Sequence, residues 1–444
     1  MPPQTRSQTS HTSAISERPK DHPRHRIARL TPKRPILNDP DSPPRYIIDL
    51  SLSPFERYLQ LAIDFKPLLV SVPSLFDDVV CNFAPSISIS AVRFLARRLL
   101  RKVHSKEETE ELKGISKASG VEMYLLVAFN TFLDVMMGCT SGGVRTKNTE
   151  KSQPRMLHFR TLDWGMDILR GLVVQLDFVR HAGGVVIATS ITYAGFVGAL
   201  TGVRLVSFSN IIKWSTCLSD SLNLREGLSI SLNFRPNHNL ISWCDQFKYY
   251  SSHLGVLLGY RPSISALLRR QLFAPIVPRI DDIASNLPSV PSTAAYLIIS
   301  DGNQTMVIEK DHRTASLRRR KDFIVATNHD QENENQQAII QNAQDASIVF
   351  ETEILMESIT RKMCVREKWR NAVIKAVDKD PGESDALDGG DADLGVSVKR
   401  HEVIKWLGAW PVTNECTHFA VVMDPKEGKV VWLKRFLGPI ENDQ

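Results

Sequence analysis

The chain has 444 residues, 42% apolar and 23% charged, which is the make-up of a soluble globular protein with room for a large core. Its formal charge of +6 gathers in residues 1 to 45, where nine Lys/Arg face four Asp/Glu, so the body lacks the basic surplus that a nucleic-acid partner needs. Six cysteines (Cys81, Cys139, Cys217, Cys244, Cys364 and Cys416) stand far apart with no C-x-x-C pair, which argues against a zinc site or a dense disulfide scaffold.

Residues 1 to 45 also hold nine of the 24 prolines, and a basic, Pro-rich tail of this kind cannot bury enough apolar surface to order itself. The first thirty residues show no apolar signal-peptide core, which makes the cytosol the default compartment. Pro44 to Leu50 then alternates like a short strand. Helical spacing is expected over 54 to 66, 90 to 104, 106 to 118 and 121 to 137, the last pointing its C-terminal end at Gly138 and Cys139. Glu122, Asn130 and Asp134 keep that last segment from reading as a membrane span.

Strands are expected at 155 to 163, 172 to 180, 184 to 193 and 227 to 234. In the last, Leu228, Ile230, Leu232 and Phe234 alternate with Ser229, Ser231 and Asn233, the pattern of a half-buried strand. A helix over 245 to 272 is followed by strands at 294 to 300, 304 to 309 and 322 to 327, helix over 335 to 376, and a closing hairpin at 418 to 423 and 429 to 434. Residues 378 to 395, with seven acidic residues and four glycines, read as a surface loop. Strands in two clusters flanked by long helices predict an α+β fold of stacked sheets covered by helices.

The run Gly138-Cys139-Thr140-Ser141, followed by Arg160 and Asp163 three apart on a strand, suits one chemistry in particular. A thiol placed at a new N terminus by self-cleavage can use its own α-amine as general base, with a charged pair to orient it. The bland reading of each residue is a small buried hydrophobe for Cys139 and a surface ion pair for Arg160 and Asp163. No G-x-S-x-G, HExxH or P-loop string occurs, and no metal or cofactor is expected.

These residues resemble the acid ceramidase and N-acylethanolamine-hydrolysing acid amidase family, kin of conjugated bile acid hydrolases and penicillin V acylases. The matching pieces are Tyr46 to Leu50, Cys139-Thr140-Ser141, Arg160 to Gly165, Leu176-Asp177-Phe178, Tyr193 to Gly198, Leu200-Thr201-Gly202, Leu232-Asn233 and Ala326 to Asp330. The resemblance implies a four-layer αββα N-terminal-nucleophile sandwich and a precursor cut between Gly138 and Cys139. That cut would give an α chain (mainly helical over 46 to 138) and a β chain (139 to 444) that stay together as a heterodimer. It implies a lipid acyl amide as substrate, ceramide ahead of N-acylethanolamine, and contact with a membrane surface. It also implies a lysosomal or extracellular setting, in conflict with the N terminus.

By the same resemblance, Arg160 and Asp163 take the places of an active-site Arg and Asp, the carboxylate receiving the α-ammonium of Cys139. Asn328 takes the place of the oxyanion donor, and Asn233 is a secondary candidate. A second family Arg has Arg361 as its nearest counterpart, which competes evenly with an exposed helix residue. Two departures stand out. An acidic residue usual after the Leu-Asn pair is Phe234 here, followed by Arg235, and residues 205 to 225 interrupt the family spacing between Arg204 and Glu226. An insertion there is expected beside the substrate entrance, from a foreign segment or a retained intron. Together these departures keep a catalytically dead binding scaffold in play as the rival from another class.

Overall fold

The computed structural model describes residues 41–83, 88–132, 138–149, 152–204, 227–235, 243–331, 346–378 and 395–440, all within one compact unit. The expected loop at 378 to 395, apart from its two ends, and the segment 205 to 225 lie outside these residues, as do residues 1 to 40 of the tail. The tail boundary moves, because Arg45 already belongs to the first strand, β1 (Arg45–Asp49).

The N-terminal third is helical after β1: α1 (Leu59–Asp64), α2 (Lys66–Leu69), α3 (Val72–Phe83), α4 (Ile89–Leu99), α5 (Lys106–Ser119) and α6 (Met123–Phe132). Ser105 caps α5 by accepting from the Glu108 N–H, and Gly120 closes it with a φ of 82°. The expected helix over 121 to 137 is described only to Phe132. Gly138 and Cys139 instead open a strand, β2 (Gly138–Thr146).

Two sheets follow. The larger orders β1, β4 (Val173–Val179), β5 (Val186–Tyr193), β6 (Thr201–Arg204), β7 (Leu228–Phe234), β8 (Ala295–Ser300), β9 (Thr305–Lys310) and β10 (Ala315–Arg320), antiparallel except for β1 on β4. The smaller is wholly antiparallel: β11 (Phe323–Ala326), β2, β3 (Arg155–Asp163), β12 (Thr417–Asp424) and β13 (Lys429–Arg435). The sheets pack face to face, β2 lying against β7, β8 and β9. On the outer face of the large sheet sit α7 (Trp243–Leu257), α8 (Ile264–Phe273) and α9 (Ile280–Asn286) with the N-terminal helices. The small sheet is covered by α10 (Ala346–Val377) and α11 (Arg400–Leu407). This is the expected αββα sandwich.

The differences from the sequence reading have local causes. The helix expected over 245 to 272 is two, because Gly259 takes φ 72° and Pro262 follows before Ser263 caps α8. Strand β2 was hidden by Gly142 and Gly143, poor strand formers that are needed for close approach. A Cβ on Gly142 would sit 2.2 Å from the Ile324 carbonyl oxygen, and one on Gly143 would sit 2.0 Å from Thr305 Oγ1. Strand β10 was hidden by Arg318, Arg319 and Arg320, charges that suit an exposed sheet edge.

Strand β7 is buried on both faces rather than half-buried. Its polar side chains point at the other sheet, where His158 bridges Ser229 and Ser231 at 2.8 Å each and Ser141 Oγ donates to Asn233 Oδ1 at 2.7 Å. An alternating polar pattern signals solvent only when no polar partner waits on that side.

Candidate active site

Alternation along two neighbouring strands builds the site. On β2, Cys139, Ser141 and Gly143 face the large sheet; on β3, His158 and Arg160 face the same way, while Asp163 at the strand end turns toward α10. Cys139 is fully buried, with Arg160 Nη2 donating to its Sγ at 3.3 Å. The same guanidinium reaches across the sheet interface to the Leu232 carbonyl at 2.7 Å, to Thr201 Oγ1 at 2.7 Å and to the Leu200 carbonyl. Arg160 therefore ties β3 to β6 and β7 while presenting a cationic edge to the thiol.

On the other side, Asp163 Oδ2 pairs with Arg361 Nη1 at 2.6 Å, and Asp163 Oδ1 accepts from Thr417 Oγ1 at 2.7 Å. Arg361, on α10, is buried and not an exposed helix residue; its Nη2 donates to Asn328 Oδ1 at 3.1 Å. Asn328 Oδ1 also accepts the backbone N–H of Cys139 at 2.7 Å, and Asn328 Nδ2 donates to the Phe234 carbonyl at 2.7 Å. In the uncut chain the N–H of Cys139 thus goes to Asn328, and Asp163 is held by Arg361 and Thr417. Gly138 lies between these groups, directly across from Asp163 in the strand register.

The structure brings together Cys139, Arg160, Asp163, Asn328 and Arg361. Asn233 stands one contact further out, its Nδ2 donating to the Ala326 and Thr327 carbonyls at 3.2 Å each, so it braces the turn that carries Asn328. Sequence reasoning missed Thr417 and Ser358, whose Oγ accepts the Asn328 N–H at 2.7 Å. Neither has a local signal, since each meets its partner only through tertiary packing.

Burial pushes the Cys139 thiol up and Arg160 opposes it. Burial likewise raises the Asp163 carboxyl, with Arg361 pulling the other way. Two nearby histidines, His158 and His418, are pushed down to about 3 by burial. His418 packs between Tyr193 Oη and the Trp164 carbonyl, at 2.8 and 2.9 Å. Among the described residues no cluster of His, Cys, Asp and Glu could hold a metal ion.

The roots of the 205 to 225 segment are Arg204 and Leu228, paired across β6 and β7. They lie at the opposite end of these strands from Leu200 and Leu232, on the order of 10 Å from the thiol at ~3.3 Å per residue.

A family model described as the beta subunit of N-acylethanolamine-hydrolyzing acid amidase matches residues 41–104. Acid ceramidase of Heterocephalus glaber is 31% identical over 182 residues, covering 37% of this chain and 44% of that protein. Acid ceramidase of Homo sapiens is 30% identical over 181 residues, with the same coverage. Over part of its length the chain is similar to acid ceramidases and to the beta subunit of N-acylethanolamine-hydrolyzing acid amidase. The matched region spans less than half the length of these curated relatives. A solved structure of the Caenorhabditis elegans N-acylethanolamine-hydrolyzing acid amidase ortholog aligns over 65% of this chain and 93% of its own, at 19% identity and a TM-score of 0.41.

Proposed function

We propose that this chain is a cysteine N-terminal-nucleophile amidohydrolase that cuts itself before Cys139 and then cleaves the amide bond of a lipid acyl amide. The observation that carries this reading is the double grip on Cys139: Arg160 at its sulfur and Asn328 at its nitrogen.

In the first reaction the Cys139 sulfur bonds to the Gly138 carbonyl carbon, the carbon–nitrogen bond breaks, and the nitrogen takes the thiol proton. That shift frees the α-amine of Cys139, and water then hydrolyses the thioester, releasing a carboxylate on Gly138 and the free thiol of Cys139. In turnover that amine accepts the thiol proton, the sulfur takes the acyl group, the substrate amine departs with a proton, and water frees the fatty acid. The donors near the scissile bond, Arg160 and the Asn328 amide, are the candidates for holding the developing oxyanion. Ceramide is the first substrate choice and an N-acylethanolamine the second, since both share the fatty acyl amide.

A lipid substrate calls for a surface that meets lipid. On α7, Trp243, Phe247, Tyr250 and Leu254 recur at helical spacing and are 79%, 64%, 64% and 53% exposed. On α4, Phe94, Leu95 and Leu99 are exposed beside Arg98, and both helices pack on α6. Exposed apolar and aromatic stripes, with Arg98 beside the one on α4, suit the interface of an anionic bilayer. No helix among the described residues is long and apolar enough to cross one.

A denaturing gel tests the reading. The precursor should split into pieces of 138 and 306 residues, Cys139→Ala should stay whole, and the cut form should hydrolyse acyl amides somewhere in a panel spanning roughly pH 4 to 8. A chain that stays whole and turns nothing over supports the scaffold reading, which the fully buried thiol and Phe234 favour.

A further inference from the structure

The turn that carries Asn328 is fastened to strand β7 a second time, two residues on. Arg235, buried just after β7, forms a bidentate pair with Asp330, Nε to Oδ1 at 2.7 Å and Nη2 to Oδ2 at 2.6 Å. Its third nitrogen reaches the Lys310 carbonyl at 3.2 Å and Asp311 at 2.9 Å. Tyr296 Oη on β8 donates to Asp330 Oδ1 at 2.7 Å, with the Arg235 guanidinium near its ring. Two parallel N–H···O bonds fix a carboxylate in direction as well as distance. The pair lies beside the Phe234 carbonyl that takes Asn328 Nδ2, so the Asn328 side chain is set between two fastenings to the same strand end.

We infer that Arg235 and Asp330 are positioning residues that aim Asn328 at the Cys139 nitrogen, in both self-cleavage and turnover. This inference rests on the proposed N-terminal-nucleophile reading. Neither side chain touches the thiol or the scissile bond in the described contacts; both act through the turn.

The test compares wild type with Asp330→Asn, Arg235→Met and the double variant Arg235→Met/Asp330→Asn. Each is followed by self-cleavage rate, kcat and KM on an N-acyl amide, and melting temperature. Asp330→Asn keeps the shape but loses the charge pair, and should slow self-cleavage and lower kcat by at least about tenfold, with KM within twofold. The double variant should be no slower than Arg235→Met alone, because the pair with Asp330 is already broken there. If Asp330→Asn does not fold, Tyr296→Phe, which removes one hydrogen bond and keeps the pair, should still lower kcat at unchanged KM. Wild-type rates in folded Asp330→Asn, losses that move KM alone, or additive losses in the double variant overturn the inference while leaving the functional reading intact. A wild-type chain that neither cuts itself nor hydrolyses the amide overturns both.

Discussion

The backbone N–H of Cys139 donates to Asn328 Oδ1 at 2.7 Å across 189 residues of sequence. The nitrogen that would become the new α-amine is thus already docked while still part of a peptide bond. Cutting the chain would require little rearrangement on the nitrogen side, which is the economy expected where one site performs both reactions.

Asn328→Ala removes that dock and leaves the Arg361 Nη2 donor and the Phe234 carbonyl without their partner. Self-cleavage should slow by about 10² and turnover by a similar factor, the usual loss for one preorganised polar group. Time courses on a denaturing gel and amide hydrolysis by pre-cut protein measure the two separately.

Arg160→Met should do more than weaken the thiol. It withdraws a charged donor from Leu200, Leu232 and Thr201 at once, each loss costing about 1–3 kcal/mol when the acceptor stays buried. Both a melting-temperature drop and loss of self-cleavage are expected. Activity lost at an unchanged melting temperature would show that the sheet-to-sheet tie is unimportant.

The pair Asp163–Arg361 predicts non-additivity. Arg361→Met strands a buried carboxylate and should destabilise by about 3–5 kcal/mol, whereas Asp163→Asn/Arg361→Met together should be milder than Arg361→Met alone. Urea unfolding of the four proteins on a Cys139→Ala background, to keep the chain uncut, gives the coupling directly.

His158 and His418 predict the acid limb of stability. Their folded values near 3 lie below the ordinary 6.5, so between those limits the unfolded chain binds protons that the native one refuses. Stability should therefore rise with pH through this window and fall on acidification, by about 1.4 kcal/mol per pH unit for each histidine. His158→Gln, read by unfolding at pH values from roughly 4 to 7, should flatten that slope.

The α7 stripe predicts lipid binding. Full-length protein should sediment with vesicles containing anionic lipid more than with neutral ones, and the Trp243 fluorescence should shift to the blue on binding. Trp243→Ser/Phe247→Glu should release it while leaving self-cleavage at the wild-type rate. Equal sedimentation of that variant would place the contact elsewhere.

Strand β3 was legible to its ends, Arg155 to Asp163, because Met156, Leu157, Phe159 and Leu162 recur through it with no Gly or Pro to interrupt them. Strand β2 was not, since Gly142 and Gly143 serve close packing and carry no propensity. Cys139, Arg160, Asp163 and Asn328 were legible from motif order and resemblance; no periodicity points to them. Thr417, Ser358 and the Arg235–Asp330 pair were hidden, since partners far apart in the chain leave no mark on local pattern. The burial of Arg361 was undecidable for the same reason, because a long helix with charges on several sides does not say which one faces inward.

Strand β1 sits at the edge of the large sheet through parallel pairing with β4, and Glu111 on α5 is locked to Arg269 on α8 by two bonds of 2.6 and 2.7 Å. Both links run from residues before Gly138 to residues after it. Were the chain severed there, recovery from denaturant would become a second-order event whose rate scales with fragment concentration, whereas the unsevered polypeptide regains its shape at a rate indifferent to dilution.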